Sequence, residues 1–226
     1  MKKMFLGLLA ASFLTICAEA QVLRAGVNFA NISINNDGDI DEANTLTSFQ
    51  VGLIGTWKLL PMLHLQPGVV FSGKGAKTEF GDPSDATYSR ATTNPYYIEI
   101  PVNLVFKTPT GPVKFFVGAG PYLGVGIAGK LKNEGKVLGV SYSNEADIEW
   151  SDDDPTTLDY EEGAGFGIMK RFDYGANITA GVEIAKLVLG LNYGHGLAKL
   201  QSGANSSDDD DNKHRVFSVT IGIKLN

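Results

Sequence analysis

His64, His195 and His214 are the residues of this chain best suited to acid–base chemistry. A hydrolase needs a histidine tied to a nucleophile and to an orienting acid. Neither His195 nor His214 has a serine or an acid at a recognisable spacing. Asp37-Gly38-Asp39-Ile40-Asp41 offers alternating carboxylates to calcium. An EF-hand loop, however, turns on a glycine at its sixth position and closes on a carboxylate at its twelfth, where this run places Gly38 second and Ser48 twelfth. Gly118-Ala119-Gly120 would cradle a phosphate ahead of a helix, and no helical pattern follows it. Asp152-Asp153-Asp154 and Asp208 to Asp211 are loose divalent-cation sites at best and solvated surface otherwise. The sequence therefore predicts no enzyme, no cofactor and no dedicated metal site.

Composition narrows the elements that position these residues. The 226 residues are 43% apolar and 19% charged, with 27 glycines and one cysteine, which disfavours a coiled coil or an acidic disordered chain. A net charge of -6 excludes nucleic acid as a partner, because phosphate binding needs clustered Lys and Arg. Mean hydropathy is close to zero, which suits a soluble protein and equally a membrane barrel whose strands alternate apolar and polar residues. Residues 1–20 read as a cleaved export signal: Lys2 and Lys3 are basic, Phe5 to Ile16 are almost wholly apolar, and Ala18-Glu19-Ala20 supplies small cleavage residues. That apolar run is too short for a spanning helix. A lipid anchor at Cys17 is disfavoured by Ile16, which stands where a small residue is required. Residues 21–226 form the remaining domain, without cysteine.

That domain alternates with period two in eight blocks: 22–34, 47–58, 63–76, 96–107, 113–128, 171–184, 187–198 and 214–226. In the last block Phe217, Val219, Ile221, Ile223 and Leu225 oppose Ser218, Thr220, Gly222 and Lys224, and the others follow suit. Leu60-Pro61, Thr108 to Pro112 and Ala185-Lys186 are tight turns, whereas 35–46, 77–95, 129–170 and 199–213 are long links. The expectation is an all-β fold: an eight-stranded antiparallel up-and-down transmembrane β-barrel with short periplasmic turns and four long extracellular loops. Trp57, Tyr96, Tyr174 and Tyr193 fall near block ends on the apolar face, where an interfacial girdle would sit.

Charge sorts independently of the strand count. Of the 24 acids after residue 20, 21 lie in the long links. Inside the blocks, Glu99, Asp173 and Glu183 share the polar face with Arg24, Lys58, Lys74, Lys107, Lys114 and Lys224. Eight strands leave an interior that side chains nearly fill, so these charges predict a plug of Arg24, Lys74, Glu99, Lys114, Glu183 and Lys224. In it, Arg24, Lys74 or Lys114 pairs with Glu99 or Glu183.

Tyr96-Tyr97-Ile98-Glu99-Ile100-Pro101-Val102, a Pro/Gly turn and Phe115-Phe116-Val117-Gly118-Ala119-Gly120-Pro121-Tyr122-Leu123-Gly124 resemble the central hairpin of the PorT-like, porin-family outer-membrane β-barrel domain. Phe172-Asp173-Tyr174-Gly175, Thr179 to Glu183 and Leu191-Asn192-Tyr193-Gly194 are similar to its next hairpin. The resemblance implies an outer-membrane barrel and carries no catalytic residues. Such barrels usually end in an aromatic residue read by the insertion machinery, whereas this chain ends Ile223-Lys224-Leu225-Asn226. The expected partners are outer-membrane lipid, the barrel-insertion machinery and an envelope or secretion-system protein met by acidic loops. The expected location is the outer membrane of a Gram-negative bacterium. A narrow porin-like conductor of small solutes or ions and a soluble lipocalin-like binder are the competing functions.

Overall fold

The computed structural model describes residues 20–33, 45–151, 168–200 and 213–225. Residues 1–19 of the expected export signal and the acidic runs Asp37 to Asp41, Asp152 to Asp154 and Asp208 to Asp211 lie outside the described residues. The strands are β1 (Ala20–Ser33), β2 (Leu46–Lys58), β3 (Leu63–Gly73), β4 (Ala76–Phe80), β5 (Tyr88–Lys107) and β6 (Val113–Val137). They continue with β7 (Val140–Asp147), β8 (Glu149–Ser151), β9 (Ile168–Lys170), β10 (Phe172–Ile184), β11 (Leu187–Gly196) and β12 (Lys213–Lys224).

Eight of them close a ring of antiparallel neighbours: β1, β2, β3, β5, β6, β10, β11 and β12, with β12 returning to β1. Closure gives every strand of the ring a hydrogen-bonded neighbour on both sides, which a chain crossing hydrocarbon requires because no water is there to bond an open edge. The fold is the expected eight-stranded barrel. Its two faces are inverted relative to a soluble protein. Val219 is 47% exposed, while its neighbours Ser218 and Thr220 are 3% and 5% exposed. Leu23, Phe49, Ile100, Phe115, Leu123, Ile178 and Leu191 point outward likewise, and Asn28, Gln50, Glu99 and Asp173 are buried. A soluble lipocalin-like barrel would place its apolar set inside, so the lipid-facing reading holds.

Three tight turns gather at one end of the ring. Leu63 N–H donates to the Leu60 carbonyl at 3.1 Å in the first, and Ala185 adopts φ 53° in the third. At the other end the structure departs from the expected loops. The links 77–95 and 129–170 hold β4, the first half of β5, the last part of β6, and β7, β8 and β9. Beyond the ring, β4, β5, β6 and β7 continue as a four-stranded antiparallel flap. The register shifts between Tyr96 and Tyr97, where ring becomes flap. Pairing persists there, but outward residues change from Val125 and Ile127 to Lys130, Lys132, Glu134 and Lys136. Past the hydrocarbon band the outer face meets water, so the apolar period vanishes while the strand continues. Leu138 and Gly139, with φ of 50° and 83°, make the two-residue turn between β6 and β7, the type that needs positive φ at both positions.

Val219→Arg, mid-strand on the lipid face, is expected to lower folding stability in lipid vesicles by about 2–4 kcal/mol. Leu138→Arg, at the flap tip, is expected to leave it almost unchanged; denaturant titration of both variants checks this.

Candidate functional site

The barrel interior is built from inward residues of alternate strand positions, and its charges assemble into two three-membered bridges. Near the long-link end, Lys74, which follows β3, pairs with Glu99 of the neighbouring β5 and reaches across the lumen to Asp173 of β10, both at 2.6 Å. Tyr122 donates to Asp173 at 3.2 Å, and its ring lies 4.3 Å beneath the Lys74 ammonium. All of these groups are buried. Near the short turns the signs reverse. Glu183 accepts from Lys107 and from Lys224, the latter at 2.5 Å. Within these two bridges each buried charge is offset by partners on other strands, as its desolvation demands.

Of the six expected plug residues, Lys74 and Glu99 form one pair and Glu183 and Lys224 another. Arg24 faces the lumen but donates to Asn192 at 3.2 Å rather than to a carboxylate. Lys114 stands opposite Glu183 in the β6–β10 register, half-buried. Both Glu183 oxygens are already taken by Lys107 and Lys224, so Lys114 is a correction to the expected pairing. Lys107 and Asp173 were legible as polar-face charges, but their partnerships were not. Register across nonadjacent strands decides those, and no local pattern reports it. Asn28, Gln50 and Ser72 add a neutral network, with Gln50 donating to Asn28 at 2.9 Å and Asn28 to Ser72 at 3.0 Å.

Two apolar clusters pack inside the lumen. Val22, Ile54 and Val70 pack with Val188 towards the short turns. At the other end, Ile148, Met169 and Leu200 pack with Ile32 and Trp150. This second cluster is folded in from a long link: β8 and β9 pair in parallel, and Lys170 N–H donates to the Leu200 carbonyl at 2.9 Å. The Trp150 ring fills the place that a Cβ on Gly126 would occupy, so only glycine fits there. Trp150 and the buried His214 both set their rings edge-on against Tyr97, 5.4 Å between centroids. His214 bonds the Tyr97 hydroxyl at 3.3 Å, and His195 packs on Tyr193. Neither histidine touches a serine hydroxyl or a carboxylate among the described residues. Between the clusters lie two small cavities of about 40 and 30 Å3, both bordered by Arg24 and Asn192. Each has room for about two or three waters.

This ring of lipid-facing strands around a polar interior is matched over residues 20–202 by the model of one family, the outer membrane protein beta-barrel domain. The chain belongs to that family. It is therefore an outer-membrane β-barrel protein. No curated protein matches it. Among solved structures, Ail, the attachment invasion locus protein of Yersinia pestis, is 12% identical with a TM-score of 0.42, covering 93% of this chain and all (100%) of that one. Neisserial surface protein A is 13% identical with a TM-score of 0.42, covering 91% and 97%. The N-terminal barrel domain of Pseudomonas aeruginosa OprF is 10% identical with a TM-score of 0.31, covering 92% and 99%.

Outside its ring this family member carries a flap with one charged face. Arg90 donates to Glu79 at 2.6 Å and to Glu134 at 3.3 Å, Lys132 pairs with Glu134, and Lys130 pairs with Glu145 at 2.6 Å. The hydrogen bond from Lys132 holds Glu134 below the usual carboxylate range, with Arg90 adding to it. The bond to Glu145 raises Lys130. On the opposite face, Thr78, Phe80, Ala91, Thr93, Asn133 and Tyr142 carry no charge.

Lys74→Met leaves Glu99 and Asp173 unpaired and is expected to cost about 3–5 kcal/mol of stability. Denaturant unfolding in detergent reads this, and Lys74→Met with Asp173→Asn should cost less than the two changes summed. Because Glu134 is depressed, its stabilising contribution to the flap is complete above the ordinary value of 4.5 and is lost as pH falls through its lowered one. Carboxyl-carbon NMR titration is expected to place Glu134 below 4.5, and Lys132→Met should move it upward.

Proposed function

We propose that this outer-membrane barrel is a sealed, non-enzymatic scaffold of PorT-like type, directed to the envelope by residues 1–20 as a cleaved export signal. In this reading the three short turns lie in the periplasm and the flap lies outside the cell, the usual disposition of such barrels. Its partners are outer-membrane lipid along the apolar belt, the insertion machinery, and an envelope or secretion-system protein met by the outside surface. The observation that supports it is a lumen occupied by its own side chains: the apolar clusters of Val22 to Val188 and of Ile148 to Leu200, and the Lys74 and Glu183 bridges, whose charges satisfy one another.

A second reading, a narrow conductor, draws support from the two polar cavities that meet at Arg24 and Asn192. They are of water size, and for a solute to pass, the Arg24 bond to Asn192 and both apolar clusters would have to open together. Planar-bilayer recording of the native protein separates the two readings. The expected trace shows no unitary conductance, whereas Trp150→Ala combined with Leu200→Ala introduces one by unsealing the outer end. Reproducible conductance from the native protein would overturn the scaffold reading.

A further inference from the structure

Among the described residues the flap ends on two edge strands, and they are not equivalent. β4 is five residues long, carries Lys77 and runs into Gly81-Asp82-Pro83. A short strand with a lysine and a following proline is a guarded edge. β7, from Val140 to Asp147, has all eight residues exposed, no proline, no lysine and no register shift against β6. It terminates the sheet order, so among the described residues one side of it is open.

The register fixes which backbone groups face that opening. Val140 pairs with Val137 across the two-residue turn, and Ile148 N–H donates to the Gly129 carbonyl at 3.0 Å. Antiparallel pairs alternate between bonded and non-bonded positions. The even residues of β7 are therefore bonded to β6, and the N–H and C=O groups of Ser141, Ser143, Glu145 and Asp147 point outward from the sheet. Side chains divide by the same parity. Val140, Tyr142, Asn144 and Ala146 lie on the uncharged face, and Ser141, Ser143, Glu145 and Asp147 on the charged one. The Asp147 side chain is 85% exposed and Glu145 is half exposed, and Lys130 alone is ion-paired to both among the described residues.

We propose that β7 is a docking edge for an extended segment of a partner protein that joins the flap as a further strand, with basic residues at alternate positions opposite Glu145 and Asp147. This rests on the reading of the barrel as a scaffold acting outside the cell, and it names the chemistry of the partner. Backbone bonds to Ser141, Ser143, Glu145 and Asp147 supply affinity. The carboxylates supply direction and register, because opposite charges across a strand pair attract and like charges repel. Small or apolar residues of the incoming strand lie against Val140, Tyr142 and Asn144. A second copy of β7 fits less well, since it would bring its own Glu145 and Asp147 to an edge that already carries both.

The test uses the full chain in detergent micelles and a fluorescent, end-capped peptide of sequence KVKTKVKT. Two control peptides are EVETEVET and the KVKTKVKT peptide N-methylated at alternate residues. The basic peptide is expected to bind saturably, and both controls at least about tenfold more weakly, a loss of the size expected when backbone bonds or opposed charges are removed. Ser143→Pro removes an N–H that faces the open side while sparing the β6 ladder, where edge proline is tolerated. It should weaken binding about tenfold with heat-modifiable migration on a detergent gel unchanged. Glu145→Lys with Asp147→Lys should reverse the preference towards EVETEVET. Equal binding of the N-methylated peptide, indifference to Ser143→Pro, or no binding at millimolar peptide would overturn the proposal. Dimerisation without peptide that Ser143→Pro abolishes would overturn it in favour of self-pairing. The scaffold reading fails separately, on bilayer conductance.

Discussion

The seam between β5 and β6 is where this structure is closed and where it is extended. From Lys107 and Phe116 to Tyr97 and Gly126 the two strands complete the ring, giving each the neighbour without which an edge would stand in hydrocarbon. From Tyr96 and Ala128 to Tyr88 and Lys136 the same pair runs on beyond the membrane as the spine of the flap. The shift at Tyr96 and Tyr97 divides the two roles. Below it the outward residues are apolar, and above it they are ion-paired. Among the described residues, β4 and β7 each pair as strands with this spine alone.

The interior follows from the same closure. A ring of eight strands leaves space for side chains and little else, and most of the charges buried in it meet on different strands. Lys74 bridges β5 and β10, and Glu183 bridges the ends of β5 and β12. The two bridges carry opposite surplus charge, an extra carboxylate at one end and an extra ammonium at the other. Val22, Ile54 and Val188 pack at the level of the Glu183 bridge, and Ile148, Met169 and Leu200 pack together at the long-link end. The lumen therefore works as a polar core, doing for this inverted protein what an apolar core does for a soluble one.

How much of this was legible before the fold depends on how local the signal is. Val219 and its alternate neighbours announced a lipid-facing strand, and the same alternation recurs in every block. The Ala185-Lys186 turn announced a hairpin. The strands of the flap were not legible, because Arg90, Thr92, Lys130 and Lys132 offer no apolar period to read once the outer face meets water. Trp150 gave no sign of its role, for its seat is a missing side chain at Gly126, far away in sequence. Lys107 and Asp173 were visible as inward charges, and their partners were not.

The sequence by itself determined that this chain is an eight-stranded membrane barrel with acidic links, because hydrocarbon imposes a period of two on every strand that crosses it and that period is written locally. Tertiary structure alone decided which charges meet in the lumen, which residues seal it, and that two of the long links rise into a sheet with one open edge. Those outcomes rest on the register between strands that are distant in the chain, and register is a property of the closed ring rather than of any segment in it.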